Sequence, residues 1–255
     1  MNIAFTEDKS SKLINVMAEY SSRFTGVTDD FLEHHLIATS LYRIAADGIS
    51  IGYFTIYEGD KISSFYMDKS KLFLAQTAFR QILIDFKIKI AFAATCDELL
   101  LSLCLDNQKS LEMQAYFFEH GGSVVRPPEW DRAFLHLAKP DDVADILDKD
   151  DVVENIRLGK YYVMRKNGIF IGQGFFNHNR LNPDRVSIGM SVHPDHRRRG
   201  VGRSIIMHLT DICCELGLTP NCGCWYYNYN SKKTLESAGY ITKTRLLNVH
   251  FTEEK

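Results

Sequence analysis

The stretch Val192-His193-Pro194-Asp195-His196-Arg197-Arg198-Arg199-Gly200-Val201-Gly202-Arg203 decides how this chain is read. A strand-like run at 186–192 leads into it, and an apolar helical pattern at 204–216 follows. The loop between them is basic and carries two glycines one residue apart. Glycine lets backbone N–H groups approach a ligand with no side chain in the way. The first N–H groups of a helix have no internal partner and sit at the positive end of its dipole. Such a loop is an anion site, and pyrophosphate is its usual occupant.

The pattern Arg197-x-x-Gly200-x-Gly202 between strand and helix resembles the coenzyme A pyrophosphate loop of the GNAT superfamily of N-acetyltransferases. His193-Pro194-Asp195-His196-Arg197 resembles that family's approach to the loop. Further on, Asn228-x-x-Ser231 and Leu235-Glu236-Ser237-Ala238-Gly239-Tyr240 resemble its second signature, where an Asn opens a helix that ends in Gly-aromatic. The resemblance spans roughly residues 140 to 255. A run of arginines alone is usually a solvated face. Here strand, glycines, helix and second signature occur in order.

At 255 residues the chain is long enough for one large or two ordinary domains. Its 45% hydrophobic and 24% charged residues are those of a soluble globular protein. The formal net charge of -2 gives no global attraction to nucleic acid, so the arginine run is a local feature. Residues 1–8 have neither the basic nor the apolar region of a signal peptide. No apolar run is long enough to span a membrane. A cytoplasmic protein with no membrane partner is expected. The six cysteines, Cys96, Cys104, Cys213, Cys214, Cys222 and Cys224, then read as reduced thiols. Cys222-Gly223-Cys224 lacks a second Cys or His pair at zinc-like spacing, so no metal is expected.

Periodicity predicts helices at 10–22, capped by Ser10 or Ser11, and at 31–42. Strands at 41–46, 49–57 and 62–67 follow, with turn signals at Asp47-Gly48 and Glu58-Gly59-Asp60. Helical spacing returns at 72–86, with Leu72, Ala75, Phe79, Ile82, Leu83 and Phe86 facing inward. A strand at 88–94 precedes a helix, in one or two pieces, from Asp97 to Gly121. Strands at 124–125 and 133–137 close this half.

The second half repeats the order, with short helices at 141–147 and 152–158 and strands at 161–165, 169–177 and 186–192. A helix at 204–216 ends at Gly217 with Pro220 beyond it. A strand at 221–227, a helix at 231–237 and strands at 240–243 and 246–251 complete the chain. Gly48-Ile49-Ser50-Ile51-Gly52 echoes Gly168-Ile169-Phe170-Ile171-Gly172, and with the shared element order this points to internal duplication.

The expected fold is α+β: tandem GNAT-like domains, each a mixed, mostly antiparallel sheet flanked by helices. The boundary is read near Lys139-Pro140, giving a degenerate domain at 1–139 and an acetyl-CoA-binding domain at 140–255. In the first half the loop position reads Met67-Asp68-Lys69-Ser70-Lys71-Leu72, with no glycine to admit a pyrophosphate.

The resemblance implies that backbone N–H groups of Arg198, Arg199, Gly200, Val201 and Gly202, with Arg203, hold the pyrophosphate. Arg197 takes the family's Arg/Gln position. The backbone of Ser191 and Val192 pairs with the pantetheine arm and supplies the N–H that polarises the thioester carbonyl. Asn228 bonds the arm from the other side, with Ser231 and Lys232 near it or near the phosphates. The family's usual base, a Glu, and its usual thiolate acid, a Tyr, fall on Ser187 and Leu235, which cannot serve.

Tyr227, which with Tyr226 and Tyr229 flanks Asn228, is the candidate acid, against plain aromatic packing. His193 is the candidate base, since imidazole titrates near neutrality, against a plain loop histidine. The implied cosubstrate is acetyl-CoA and the implied acceptor a small amine or amino-acid-like molecule. A homodimer, or burial of one domain against the other, is left open. Two other readings compete. One is a non-catalytic acyl-CoA-binding or sensing protein on the same fold. The other is a nucleic-acid module using His196 to Arg199, which the net charge and the lack of interleaved aromatics disfavour.

Overall fold

Asp47-Gly48 and Asn167-Gly168 each place two successive residues in the left-handed region, at φ 48° and 83° and at φ 51° and 78°. Two-residue turns of this kind match the right-handed twist of the strands they join. Both close a hairpin, so the sequence echo around them marks equivalent structure.

The computed structural model describes residues 1–9, 12–121, 126–147 and 152–252. In chain order the elements are β1 (Ile3–Glu7), α1 (Leu13–Ser21), α2 (Asp30–Ile37), β2 (Ser40–Ala46), β3 (Ile49–Tyr57), β4 (Lys61–Met67), α3 (Ala75–Asp85), β5 (Ile90–Ala94), α4 (Glu98–Asn107) and β6 (Ser110–His120). There follow β7 (Leu135–Leu137), α5 (Val152–Arg157), β8 (Tyr161–Lys166), β9 (Ile169–His178), β10 (Arg185–Val192), α6 (Val201–Glu215), β11 (Thr219–Trp225), α7 (Tyr229–Ser237) and β12 (Tyr240–His250). Contacts divide the chain into two units. Unit 1 is Met1–Phe117 with Lys243–Lys255, and unit 2 is Phe118–Thr242.

In unit 1, β1 to β4 form an antiparallel ladder. β4 then runs parallel to β5, but only through Lys61↔Ile90 and Ile62↔Ala91. On its other side β5 takes β12 antiparallel, from Leu246↔Ala94 to His250↔Ile90. Leu247 and Val249 of β12 join Ile44, Phe54, Phe65 and Phe79 in the core. α3 buries Ala75, Ala78, Phe79 and Ile82, the stripe expected of a helix laid on a sheet.

In unit 2, β7 to β10 are antiparallel. β10 and β11 are parallel from Arg185↔Thr219 to Ser187↔Asn221. α6 lies against Gly172 and Gly174 of β9. A Cβ at Gly174 would come within 2.6 Å of Ile205 and 2.7 Å of Leu209, so glycine sets how closely helix and sheet approach. Both units are thus α+β with a mixed, mostly antiparallel sheet, as expected.

Several expected elements differ. Sequence reading missed β1. The helix expected at 31–42 stops at Ile37, because Ser40 already opens β2. The 72–86 helix begins at Ala75 after a 3₁₀ turn, Lys69–Leu74, which leaves Leu72 exposed. The helix expected to reach Gly121 ends at Asn107, and β6 replaces its second piece. Pro140–Ala144 is a 3₁₀ turn where a helix at 141–147 was expected. The two closing strands are one, β12.

The caps Ser10 and Ser11 and the strand at 124–125 lie outside the described residues. The boundary read at 139/140 also differs from the packing. β7, which precedes that position, pairs with β8 in unit 2, while β12 contributes to unit 1.

Candidate functional site

The site in unit 2 begins where its sheet comes apart. The β10–β11 ladder ends at Ser187↔Asn221, while the β10–β9 ladder continues to Val192↔Gly172. Residues 188–192 therefore keep one edge clear of β11. An extended chain of amides could pair with that edge as a strand would.

Past Val192, a 3₁₀ turn over Pro194–His196 leads into the arginines. Arg198 and Gly200 both lie in the left-handed region, at φ 59° and 73°. That conformation is uncommon for an arginine and reverses the chain sharply into α6. The first bond of α6 runs from the Ser204 N–H to the Gly200 carbonyl at 3.0 Å. The N–H groups of Val201, Gly202 and Arg203 thus precede the ladder, as at any helix start. Gly202 faces Met190, Val192 and Thr234, where a Cβ would sit 3.2–3.3 Å from their side chains. The start of α6, the end of β10 and the middle of α7 converge around this glycine.

Of the residues expected to hold the coenzyme, Ser191 and Val192 end β10, and Arg197, Arg198, Arg199, Gly200, Val201 and Gly202 form the rim that leads into α6. The three arginines are exposed, and Arg197 Nε donates to the Val192 carbonyl at 3.3 Å. Val201 contributes only backbone, since its side chain is in the core. Asn228 caps α7, its Oδ1 accepting from the Ser231 N–H at 3.1 Å, so its amide nitrogen is the part that can face a ligand. Lys232 pairs with Glu236 one turn along α7.

Arg203 departs from the expected role. It is 3% exposed, pairs with Glu129, and donates from Nη2 to the Pro127 carbonyl at 2.7 Å. Its guanidinium is enclosed by protein, behind the Glu129 carboxylate that abuts Gly200.

The candidate catalytic groups follow the two diverging strands, His193 just after β10 and Tyr227 just after β11. His193 packs edge-on to Phe170 at 6.4 Å, beside His196, and its Nδ1 accepts from the Asp195 N–H at 3.4 Å. It serves as the cap of its own turn. Tyr227 is 50% exposed and stacks edge-on with Trp225 at 5.0 Å. Ser187 is buried and bonded to Asn179, and Leu235 is buried on α7.

Sequence reading gave no hint of Arg126 to Trp130, which lie across the start of α6. Trp130 donates from its backbone N–H to Ser204 Oγ at 3.1 Å and from its indole to the Arg199 carbonyl at 2.9 Å. His208 reaches the Trp130 carbonyl at 2.7 Å. These partners lie about 70 residues apart in the chain, where no local pattern connects them.

Unit 1 has the same split, between β4 and β5, but its own side chain fills it. The Tyr20 hydroxyl accepts from the Phe65 N–H of β4 at 3.2 Å and donates to the carboxylate of Asp97. Asp97 caps α4 from the position that Asn228 holds before α7. Burial pushes the Asp97 carboxyl up to about 6, and the bond from Tyr20 opposes that rise. A groove of about 320 Å³ remains, lined by Arg23, Phe24, Tyr66 and Lys69 above the Tyr20–Asp97 pair.

Among the described residues, no helix is long and apolar enough to cross a membrane, and no group of three or more His, Cys, Asp or Glu side chains converges on a metal position.

Comparison with known proteins agrees with this geometry. An acetyltransferase (GNAT) domain model matches residues 9–121, and the acetyltransferase (GNAT) family model matches residues 128–240. No curated protein matches the sequence. Among solved structures, an acetyltransferase of the GNAT family from Colwellia psychrerythraea is similar with a TM-score of 0.84 at 17% identity, over 98% of this chain and 100% of that one. A tandem GNAT protein from the clavulanic acid biosynthesis pathway is similar with a TM-score of 0.58 at 10% identity, over 100% of both chains. A GCN5-related N-acetyltransferase from Sphaerobacter thermophilus has a TM-score of 0.58 at 10% identity, over 97% of this chain and 95% of that one. At these identities the likeness is one of fold.

Proposed function

Because the chain belongs to the GNAT acetyltransferases and carries two such domains in tandem, we propose that it transfers an acetyl group from acetyl-CoA to a primary amine of a small molecule or amino-acid-like acceptor. In this reading unit 2 is the coenzyme-binding domain and unit 1 a degenerate partner. The observation that carries it is the split at Ser187↔Asn221 opening onto the glycine loop at the start of α6.

The residues present fit the coenzyme. N–H groups at Gly200, Val201 and Gly202, with Arg197, Arg198 and Arg199, would hold a diphosphate. The free edge at Ser191 and Val192 and the amide of Asn228 would hold the pantetheine amides. The coenzyme, when bound, supplies the activated acetyl thioester. A β10 N–H aimed at the thioester oxygen would stabilise the charge that develops there. The amine nitrogen bonds to the acetyl carbon, the carbon–sulfur bond breaks, and a proton passes from amine to base while the thiolate takes one from an acid.

Ser187 and Leu235 can do neither. The acid falls to Tyr227 and the base to His193 or to water held by the β10 edge. Filling of the equivalent split by Tyr20, together with the glycine-free loop at 67–72, supports a unit 1 without coenzyme.

The same two positions favour a second reading, a non-catalytic acyl-CoA-binding protein. Calorimetric titration with acetyl-CoA, beside Gly202→Glu, tests the binding shared by both. The wild type is expected to bind and the variant, whose carboxylate blocks and repels the diphosphate, is not. Folded wild type that does not bind removes both readings. An amine panel assayed for released thiol then separates enzyme from sensor.

A further inference from the structure

Glu129 lies at the start of the second family-matched region, 128–240, and next to Gly200, which the α6 loop holds in the left-handed region at φ 73°. A Cβ at Gly200 would collide with the Glu129 side chain, whose Cγ would be 2.8 Å away and its carboxylate nearer still. Residue 200 is the N-cap of α6, where an anion is most stabilised by the dipole and by the unpaired N–H groups.

The carboxylate is held there firmly. It accepts from Arg203 Nε at 3.0 Å and lies 3.3 Å from Arg126 Nη2. Trp130 pins the same segment through the Arg199 carbonyl and Ser204. Meanwhile Arg203, almost fully buried, has an Nη1 with no hydrogen-bond partner. A buried guanidinium with a donor to spare, beside a helix start, is poised for more negative charge than one carboxylate provides.

We infer that Glu129 is an affinity-setting residue of the coenzyme site: its carboxylate competes with the coenzyme diphosphate for the start of α6. This rests on the coenzyme reading above. Two anions cannot share this helix start without repulsion, which is strong where water is partly excluded. Binding therefore draws the carboxylate away from Gly200 and loosens the Pro127–Trp130 segment with it. Free phosphate-type anions have no pantetheine arm to offset that displacement, so they bind this helix start more weakly than the coenzyme does.

The test compares wild type with Glu129→Gln, an isosteric change that keeps an acceptor for Arg203. Both are titrated calorimetrically with coenzyme A and with inorganic pyrophosphate. The variant is expected to bind each about tenfold more tightly, because the same competition is removed from both. A folded variant with equal or weaker affinity overturns the inference while leaving the coenzyme site in place. A wild type that binds no coenzyme overturns the coenzyme reading, and this inference with it.

An independent readout uses Trp225→Phe, in which Trp130 is the remaining tryptophan of the two in the chain. Its emission is expected to shift as coenzyme A is added, reporting release of the indole from the Arg199 carbonyl. Unchanged emission at saturation means the segment stays put, and the inference fails even if Glu129→Gln does not fold.

Discussion

The hydroxyl of Tyr20 donates to the carboxylate of Asp97 and also accepts from the Phe65 N–H, so one phenol joins β4 to the cap of α4, the helix that follows β5. Tyr20→Phe keeps the ring and removes both bonds, leaving a buried carboxylate with one donor fewer. The expected cost is about 2 kcal/mol, read as a lower denaturation midpoint. A midpoint equal to that of the wild type would show that the phenol only fills space.

Acid pH should stabilise this fold. Burial raises the Asp97 carboxyl to about 6 and the Asp29 carboxyl to about 7. In the unfolded chain both sit near the ordinary value of about 4. Between those limits the folded chain retains protons the unfolded chain has released, so stability falls as pH rises from about 4 toward about 7. Urea midpoints at pH 5 and pH 8 should show the higher value at pH 5. Asp97→Asn should flatten part of that slope, a contribution on the order of 2–3 kcal/mol. A variant with the full wild-type slope would place the titration elsewhere.

Gly174→Ala should lower the stability of unit 2 by about 1–3 kcal/mol, since the added methyl meets Ile205, Leu209 and the Gly189 carbonyl with little room to move. Gly168→Ala tests a different property. Nothing lies within 4 Å of its Cβ, so any loss there comes from the φ of 78° alone and should be smaller. Thermal melts of the two proteins give the comparison, and the reverse order would contradict the packing described for α6.

If turnover is found, Tyr227→Phe should lower kcat about 100-fold with little change in coenzyme affinity, as loss of a proton donor requires. His193→Ala should lower kcat by a similar factor, as loss of a base requires. Rates that survive both changes would assign proton transfer to water along β10 and return these residues to packing and capping.

What the sequence made legible follows from how local each signal was. Gly200 and Gly202, the cap at Asn228 and the turn at Asp47-Gly48 are short-range demands, and each could be read in place. β6 could not. Ala115, Tyr116, Phe117 and Phe118 are buried in succession, and four consecutive apolar residues carry neither a helical nor a strand period. β1 was passed over because its five residues bury only Ile3. Arg203 was placed at the phosphates because its neighbours in the sequence carry the resemblance. Its actual partner, Glu129, is 74 residues earlier, and only the folded chain brings them together.

The position of β12 has a consequence for synthesis. Its Leu246 to His250 close the exposed edge of β5, a strand made some 150 residues earlier. On a ribosome the first unit therefore emerges with an unpaired edge and waits, incomplete, while all of unit 2 is translated. That waiting edge is an open template for another nascent chain. Slower elongation through the codons for unit 2 would lengthen the exposure, and a chaperone that covers β5 would have its greatest effect in that interval.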